Sequence, residues 1–147
     1  MVVVPQPIFV RSLGVNLRCC LPDALLERTY PVRAMLDAGL IVALSSDAPM
    51  TREDDPLLGI QAAVLRRDEE GKPIAGGQAL SVAEALRAYT MGGALASGDA
   101  DNRGSLRAGK RADLAVLSAN PLEVEPEALD ELRVDMTYVD GELAYER

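Results

Sequence analysis

The sequence predicts an α/β fold, and three observations lead to it. An apolar, β-branched run opens the chain, a second one stands at Ile41–Leu44 with a helical pattern between them, and after Gly98 a turn-rich texture ends in an alternating hairpin. Strand, helix, strand in that order is a βαβ unit, whose parallel strands are apolar on both faces because helices cover them.

Val2–Val4 and Ile8–Val10 read together as one short buried strand, Val2–Val10, with Pro5 and Pro7 marking its ragged end. Pro31 suits the first turn of a helix, Val32, Met35 and Leu36 share one face, and Gly39 stands where a left-handed cap is wanted, so a helix is expected over Pro31–Ala38. Ile41-Val42-Ala43-Leu44 is the second doubly buried strand, and it runs into the abruptly polar Ser45-Ser46-Asp47-Ala48-Pro49. Asp55 caps and Pro56 opens a helix reaching about Arg67, with Leu58, Ala62 and Leu65 at helical spacing. Asp68–Gln78 holds four glycine or proline residues and reads as a surface loop.

Ser81 and Glu84 have capping-box spacing, and Val82, Ala85, Leu86 and Tyr89 form the apolar stripe of the next helix, expected to weaken at Gly92-Gly93. Beyond Gly98, Ala112–Leu117 is strand-like and Pro126–Leu132 is a helical turn or two. Val134, Met136 and Tyr138 alternate with polar residues, and Asp140-Gly141 is a type I′ hairpin signal leading into Glu142–Tyr145. No repeat or low-complexity tract interrupts this order.

Composition narrows the function classes. The 147 residues are 48% hydrophobic and 26% charged, the balance of a soluble globular protein. A net charge of -8 disfavours nucleic acid and anionic membrane surfaces as partners. Leu122–Arg147 carries nine acidic residues against Arg133 and Arg147, the pattern of a solvated face. The opening segment has no basic stretch and is broken by prolines, unlike a secretory signal, and no apolar run approaches the ~20 residues of a membrane helix. Cys19 and Cys20 are sequence neighbours, too close for an ordinary disulfide, so free thiols in a cytoplasmic setting are expected, as small core-lining residues rather than a redox pair.

With no histidine, a serine or cysteine hydrolase using a histidine base is excluded, and the chain by itself cannot complete a zinc site of the usual three protein ligands. Gly71, Gly76 and Gly77 lie in a polar loop without the strand and lysine motif of a phosphate loop. Asp47 is the polar residue placed where α/β folds put their chemistry, just beyond the carboxyl end of a buried parallel strand. The local pattern alone equally describes an aspartate closing a turn before Pro49. Ser45 and Ser46 either orient that carboxylate or are ordinary satisfied hydroxyls. Arg33, Arg52, Arg66 and Arg67 are expected as solvated charge rather than as ligands of a substrate carboxylate.

Several motifs in order carry a resemblance. Leu36-Asp37-Ala38-Gly39, Ala43-Leu44-Ser45-Ser46-Asp47-Ala48-Pro49 and Pro56-Leu57-Leu58-Gly59-Ile60 resemble the end of the barrel in metal-dependent amidohydrolases, most closely the YtcJ-like group. The stretch from Ser81 to Thr90 is similar to that family's last helix, the stretch from Gly104 to Leu117 to its return into a β-sandwich, and Gln6-Pro7 to the end of its seventh strand.

The resemblance implies a (β/α)8 TIM barrel with a small β-sandwich. Residues 1–98 would supply the last two βα units of the barrel and residues 99–147 the C-terminal strands of the sandwich. It implies hydrolysis of a non-peptide C–N bond in a small molecule by water activated on a divalent metal, zinc being the expected ion. Of the family's ligands only the eighth-strand aspartate maps onto this sequence, as Asp47, which would bind metal and shuttle a proton; the His-x-His motif, the mid-barrel ligand and two further histidines would lie upstream of Met1. Two readings follow: a fragment of such an enzyme, inactive alone, or a truncated remnant acting only by association with a partner or itself. In both, unpaired strand edges lead us to expect self-association or docking to the missing N-terminal barrel half.

Overall fold

A computed structural model describes every residue except Thr51. The chain is α/β, with a two-stranded parallel sheet under helices and a three-stranded antiparallel sheet. Strand β1 is Val2–Val3, far shorter than the expected Val2–Val10. Ile8–Val10 instead open helix α1, Ile8–Ser12, because Pro5 and Pro7 cannot donate to a ladder and Pro7 already holds helical angles, φ -64° and ψ -23°. Tertiary burial overrides the β-branched pattern. Ile8 and Phe9 pack with Ala62, while Val10 packs with Ile74 and Ala75.

Two further helices, α2 at Gly14–Cys20 and α3 at Asp23–Leu26, occupy a stretch for which the sequence suggests no element. Gly14 is the buried residue of α2. At ~100° per residue, Cys19 and Cys20 lie about 140° and 120° around the helix from it. Both cysteines are therefore exposed, not core-lining.

Helix α4, Val32–Asp37, ends as its sequence signal suggests, with Gly39 at φ 74° and the Leu40 amide donating to the Met35 carbonyl at 3.1 Å. Strand β2, Ile41–Val42, runs parallel to β1 in the register Val2↔Ile41 and Val3↔Val42. Beyond the formal strand the ladder continues, with the Ala43 amide donating to Val3 and the Ser45 amide to Pro5. Val42, Ala43 and Leu44 are buried, but Ile41, Val2 and Val4 are exposed, so the expected cover on both faces is present only in part.

Helix α5 spans Pro56–Leu65, and Asp55 caps it by accepting the Leu57 amide at 2.8 Å. Helix α6, Val82–Arg87, carries a complete capping box: the Ser81 hydroxyl accepts the Glu84 amide, and the Glu84 carboxylate accepts the Ser81 amide. The rod does not weaken at Gly92-Gly93. It widens into a π turn at Ala88–Gly92 and continues as α7, Gly93–Ala96. At that turn the Ala88 carbonyl accepts the Leu44 amide on the free side of β2. A Cβ on Gly92 would stand 2.3 Å from the Val42 carbonyl oxygen, so a missing side chain is what lets rod and strand touch.

Strands β3 (Leu114–Leu117), β4 (Val134–Val139) and β5 (Glu142–Glu146) form the antiparallel sheet, with β4 central. Asp140 and Gly141 both have positive φ, 55° and 85°, as a type I′ turn requires. The expected helical turn before β4 is a 3-10 segment, Pro126–Glu131. Buried Gln61 of α5 ties it down through its amide nitrogen, which donates to the Glu127 carbonyl at 3.0 Å and the Asp130 carboxylate at 2.8 Å. Leu129 and Leu132 thereby join one core with Val32, Val42, Leu57 and Ile60.

Arg33 of α4 grips Glu84 of α6 with both guanidinium ends, at 2.8 and 2.5 Å. Hydrogen bonds from Arg33 first, then from Ser81, hold the Glu84 carboxyl down at about 2. A depressed folded-state value means that its contribution is complete above the ordinary value of 4.5 and is lost as pH falls from there through about 2. In urea titrations, Glu84→Gln is expected to fall below wild type by a constant margin above that window and to converge with it inside the window. A margin independent of pH refutes this. Two glycine substitutions test the rod. Gly92→Ala is expected to lower stability by about 1–3 kcal/mol, because a backbone carbonyl cannot yield. Gly93→Ala meets open space and is expected to raise it by about 0.5–1 kcal/mol through helix propensity. Equal effects of the two in chemical denaturation would remove the close-contact explanation.

Candidate functional site

Asp47 stands just past the carboxyl end of β2, exposed, with a left-handed φ of 57°. Aspartate tolerates that conformation better than most residues because its short polar side chain bonds locally. The Asp47 carbonyl accepts the Met50 amide at 2.9 Å, closing the turn that carries the side chain out. Ser45 and Ser46 are half-buried. Ser46 turns its hydroxyl to the Ala48 amide, 3.3 Å away, and the Ser45 amide holds the turn to Pro5 at 3.1 Å. Among the described residues, neither serine hydroxyl bonds the Asp47 carboxylate; both residues shape the turn.

The structure adds a residue that sequence reasoning passes over. Burial, and then the negative charge of Asp47, push the Tyr30 phenol above its ordinary value of 10. The Tyr30 ring meets Phe9 edge-on, with centroids 6.0 Å apart and planes at 80°. Its backbone is left-handed, φ 47°. The only signal in the sequence is an aromatic directly before Pro31, a place where the right-handed helical region is disfavoured.

What holds Tyr30 there is Arg66, and here the expectation of solvated charge is wrong. Arg66 is fully buried. Its Nη2 donates to the Thr29 carbonyl at 2.6 Å, its Nη1 to the Tyr30 carbonyl at 3.3 Å, and its Nε to the Ile74 carbonyl at 3.2 Å. Burial lowers its pKa to about 10, partly offset by Glu27, so it remains a cation near neutrality. Arg66 also caps α5 in the left-handed conformation, φ 52° and ψ 47°, which turns its side chain inward. Arg52 and Arg67 are exposed as expected, and half-buried Arg33 is committed to Glu84. None of the four is free to meet a ligand beside Asp47 except Arg52, whose charge is solvated.

As a metal centre the arrangement is incomplete. The chain has no histidine, and among the described residues no three of His, Cys, Asp or Glu converge. Asp47 offers one hard oxygen donor at a strand end, which suits a divalent cation but does not make a site. No helix of the described residues is long and apolar enough to cross a membrane.

A family model described as the amidohydrolase family matches residues 9–145. The chain belongs to that family. It is 45% identical over 120 residues to an N-substituted formamide deformylase of Arthrobacter pascens, covering 82% of this chain and 22% of that protein. It is 34% identical over 125 residues to the putative amidohydrolase YtcJ of Bacillus subtilis strain 168, covering 83% of this chain and 23% of that one. Among solved structures, an uncharacterized metal-dependent hydrolase of Pyrococcus horikoshii OT3 superposes with a TM-score of 0.72 at 28% identity, over 84% of this chain and 25% of that one. This amidohydrolase chain thus spans about a quarter of the length of the relatives it matches.

Replacing Arg66 by leucine leaves the Thr29 and Ile74 carbonyls without a donor, while the Tyr30 carbonyl keeps the Val32 amide, at about 1–3 kcal/mol for each buried unsatisfied group. Arg66→Leu is expected to cost at least about 2 kcal/mol in urea unfolding. A change within about 0.5 kcal/mol, the scale of surface substitutions, would return Arg66 to the solvated reading.

Proposed function

We propose that this chain is the segment of a metal-dependent amidohydrolase that carries Asp47 to the catalytic face, and that the whole enzyme hydrolyses a non-peptide C–N bond in a small molecule. The observation that carries the proposal is an exposed carboxylate presented just past the end of a partly covered parallel strand, in a family whose members cleave such bonds. The name of the formamide deformylase relative supports a small amide as the substrate class. In this reading β1 and β2 are the last two strands of a (β/α)8 barrel, the α6–α7 rod is its last helix, and β3–β5 belong to a β-sandwich, with the boundary near Gly98.

The remaining metal ligands come from residues outside this sequence. A divalent metal held with those residues, for which zinc is our assignment, would supply acidic water at neutral pH. Asp47 would hold a proton on a carboxylate oxygen and return it to the leaving nitrogen as the C–N bond breaks, so that amide and water become acid and amine. Ser45 and Ser46 act on Asp47 through the backbone turn rather than through their hydroxyls.

One observation favours a second reading, an inactive remnant that works by association. Met1, Val2, Val4 and Ile41 expose apolar surface around a parallel sheet of only two strands among the described residues. Self-association or docking to an N-terminal barrel segment would cover it.

The decisive measurement is made in a complete hydrolase containing this segment. There Asp47→Asn, which keeps volume and loses the proton-accepting charge, is expected to lower kcat by about 10²–10⁴-fold with an unchanged circular dichroism spectrum. The isolated chain is expected to show no zinc-dependent amidase turnover. Near-normal kcat in the Asn variant would reduce Asp47 to a turn former and favour the association reading.

A further inference from the structure

Cys19 and Cys20 close α2 side by side, and both are exposed free thiols. The neighbouring Cys19 thiol pushes the Cys20 thiol above its ordinary value of 9.0. Arg18, the cation next in sequence, gives no help to a thiolate, because its guanidinium is bound to Asp68 at 2.6 Å and to Glu70 at 2.8 Å. The pair also sits at the carboxyl end of a helix, where the backbone dipole disfavours negative charge. A Cys20 thiol raised in this way is a poor nucleophile toward peroxide and a poor starter of disulfide exchange.

Geometry adds a second restriction. Neighbouring Cα atoms across a trans peptide lie about 3.8 Å apart. That is below the ~4.4–6.8 Å span of ordinary disulfides. The last turn of α2 is closed by the Leu21 amide on the Leu17 carbonyl at 2.9 Å, so drawing the sulfurs into a direct bond would distort a formed helix. A single soft atom placed between the sulfurs makes no such demand, since it bonds each sulfur separately and closes a larger ring. Thiol sulfur selects soft acceptors over hard ones.

We propose that Cys19 and Cys20 form a vicinal-dithiol site for a thiophilic trivalent metalloid, with arsenic(III) as the representative ligand. The site is separate from the amidohydrolase reading and does not depend on it. Binding balances without any redox partner. An organoarsenic(III) oxide forms two As–S bonds, its oxygen leaves as water with the two thiol protons, and arsenic remains trivalent.

Phenylarsine oxide titrated into the reduced 147-residue chain tests this. The expected result is one adduct per chain by intact mass, corresponding to addition of the oxide and loss of one water, with both Ellman-reactive thiols lost together. Cys19→Ser and Cys20→Ser are each expected to weaken binding by at least ~100-fold, because the second bond forms intramolecularly at high effective concentration. Circular dichroism of both variants is expected to match wild type, since the side chains are exposed. Two adducts per chain, binding by either single variant as tight as wild type, or thiols that stay titratable at saturation would each overturn the proposal. So would ready formation of a Cys19–Cys20 disulfide with diamide, which would show that the helix end does not resist the direct bond.

Discussion

The buried guanidinium of Arg66 is the constraint on which the rest of this structure hangs. An ion taken out of water loses several kcal/mol of solvation, and it persists only where every donor finds an acceptor. Arg66 meets that condition with backbone carbonyls alone, from Thr29, Tyr30 and Ile74, and so ties the distant Thr29-Tyr30 segment and the following loop to the end of α5. The carboxyl end of a helix also favours a cation. The loop after it is fastened in the same manner. Burial pushes the Asp68 carboxyl up, but backbone hydrogen bonds from Lys72 and Glu70 and the ion pair with Arg18 outweigh it and hold it below the usual range. One buried cation and one buried anion thereby turn a polar loop into part of the core.

Through Tyr30 that anchoring reaches the candidate site. The phenol would be free to swing if its backbone were not clamped at the carbonyl by Arg66 and its ring not set edge-on against Phe9. Phe9 can do this only because Ile8–Val10 coil into α1 instead of extending β1. On the opposite side, the π turn of the α6–α7 rod meets the backbone of β2 directly, with Gly92 against Val42 and Ala88 accepting the Leu44 amide. Asp47 is therefore displayed by a strand end fixed from both flanks. The proton-transfer role proposed for Asp47 would benefit from such fixing, since that role depends on holding a short distance to the reacting atoms.

The elements legible in the sequence were those written in local chemistry. The Ser81–Glu84 capping box, the Asp55 cap with Pro56, the Gly39 terminus and the Asp140-Gly141 turn each involve groups within a few residues of one another, and each forms as expected. The position of Asp47 after β2 was legible for the same reason, since a buried apolar run that ends in polar residues marks a strand end. The Val2–Val10 segment was misjudged because a short apolar run has no periodicity to separate strand from helix. Prolines and the partners Ala62, Ile74 and Ala75 decided it.

By itself the sequence determined the α/β class, the order of the main helices and the hairpin, the lack of histidine, and the position of Asp47 past a strand end. Tertiary structure alone decided that Arg66 is buried while Arg67 beside it is exposed, that Tyr30 is held by Arg66 and Phe9, that Gly92 is a close contact rather than a weak point of the helix, and that Cys19 and Cys20 are exposed. The physical reason is common to all four. Local propensity and capping act over one helical turn, whereas burial of a charge, approach of two backbones and exposure of a thiol depend on which distant segments meet, and no single stretch of chain encodes that meeting.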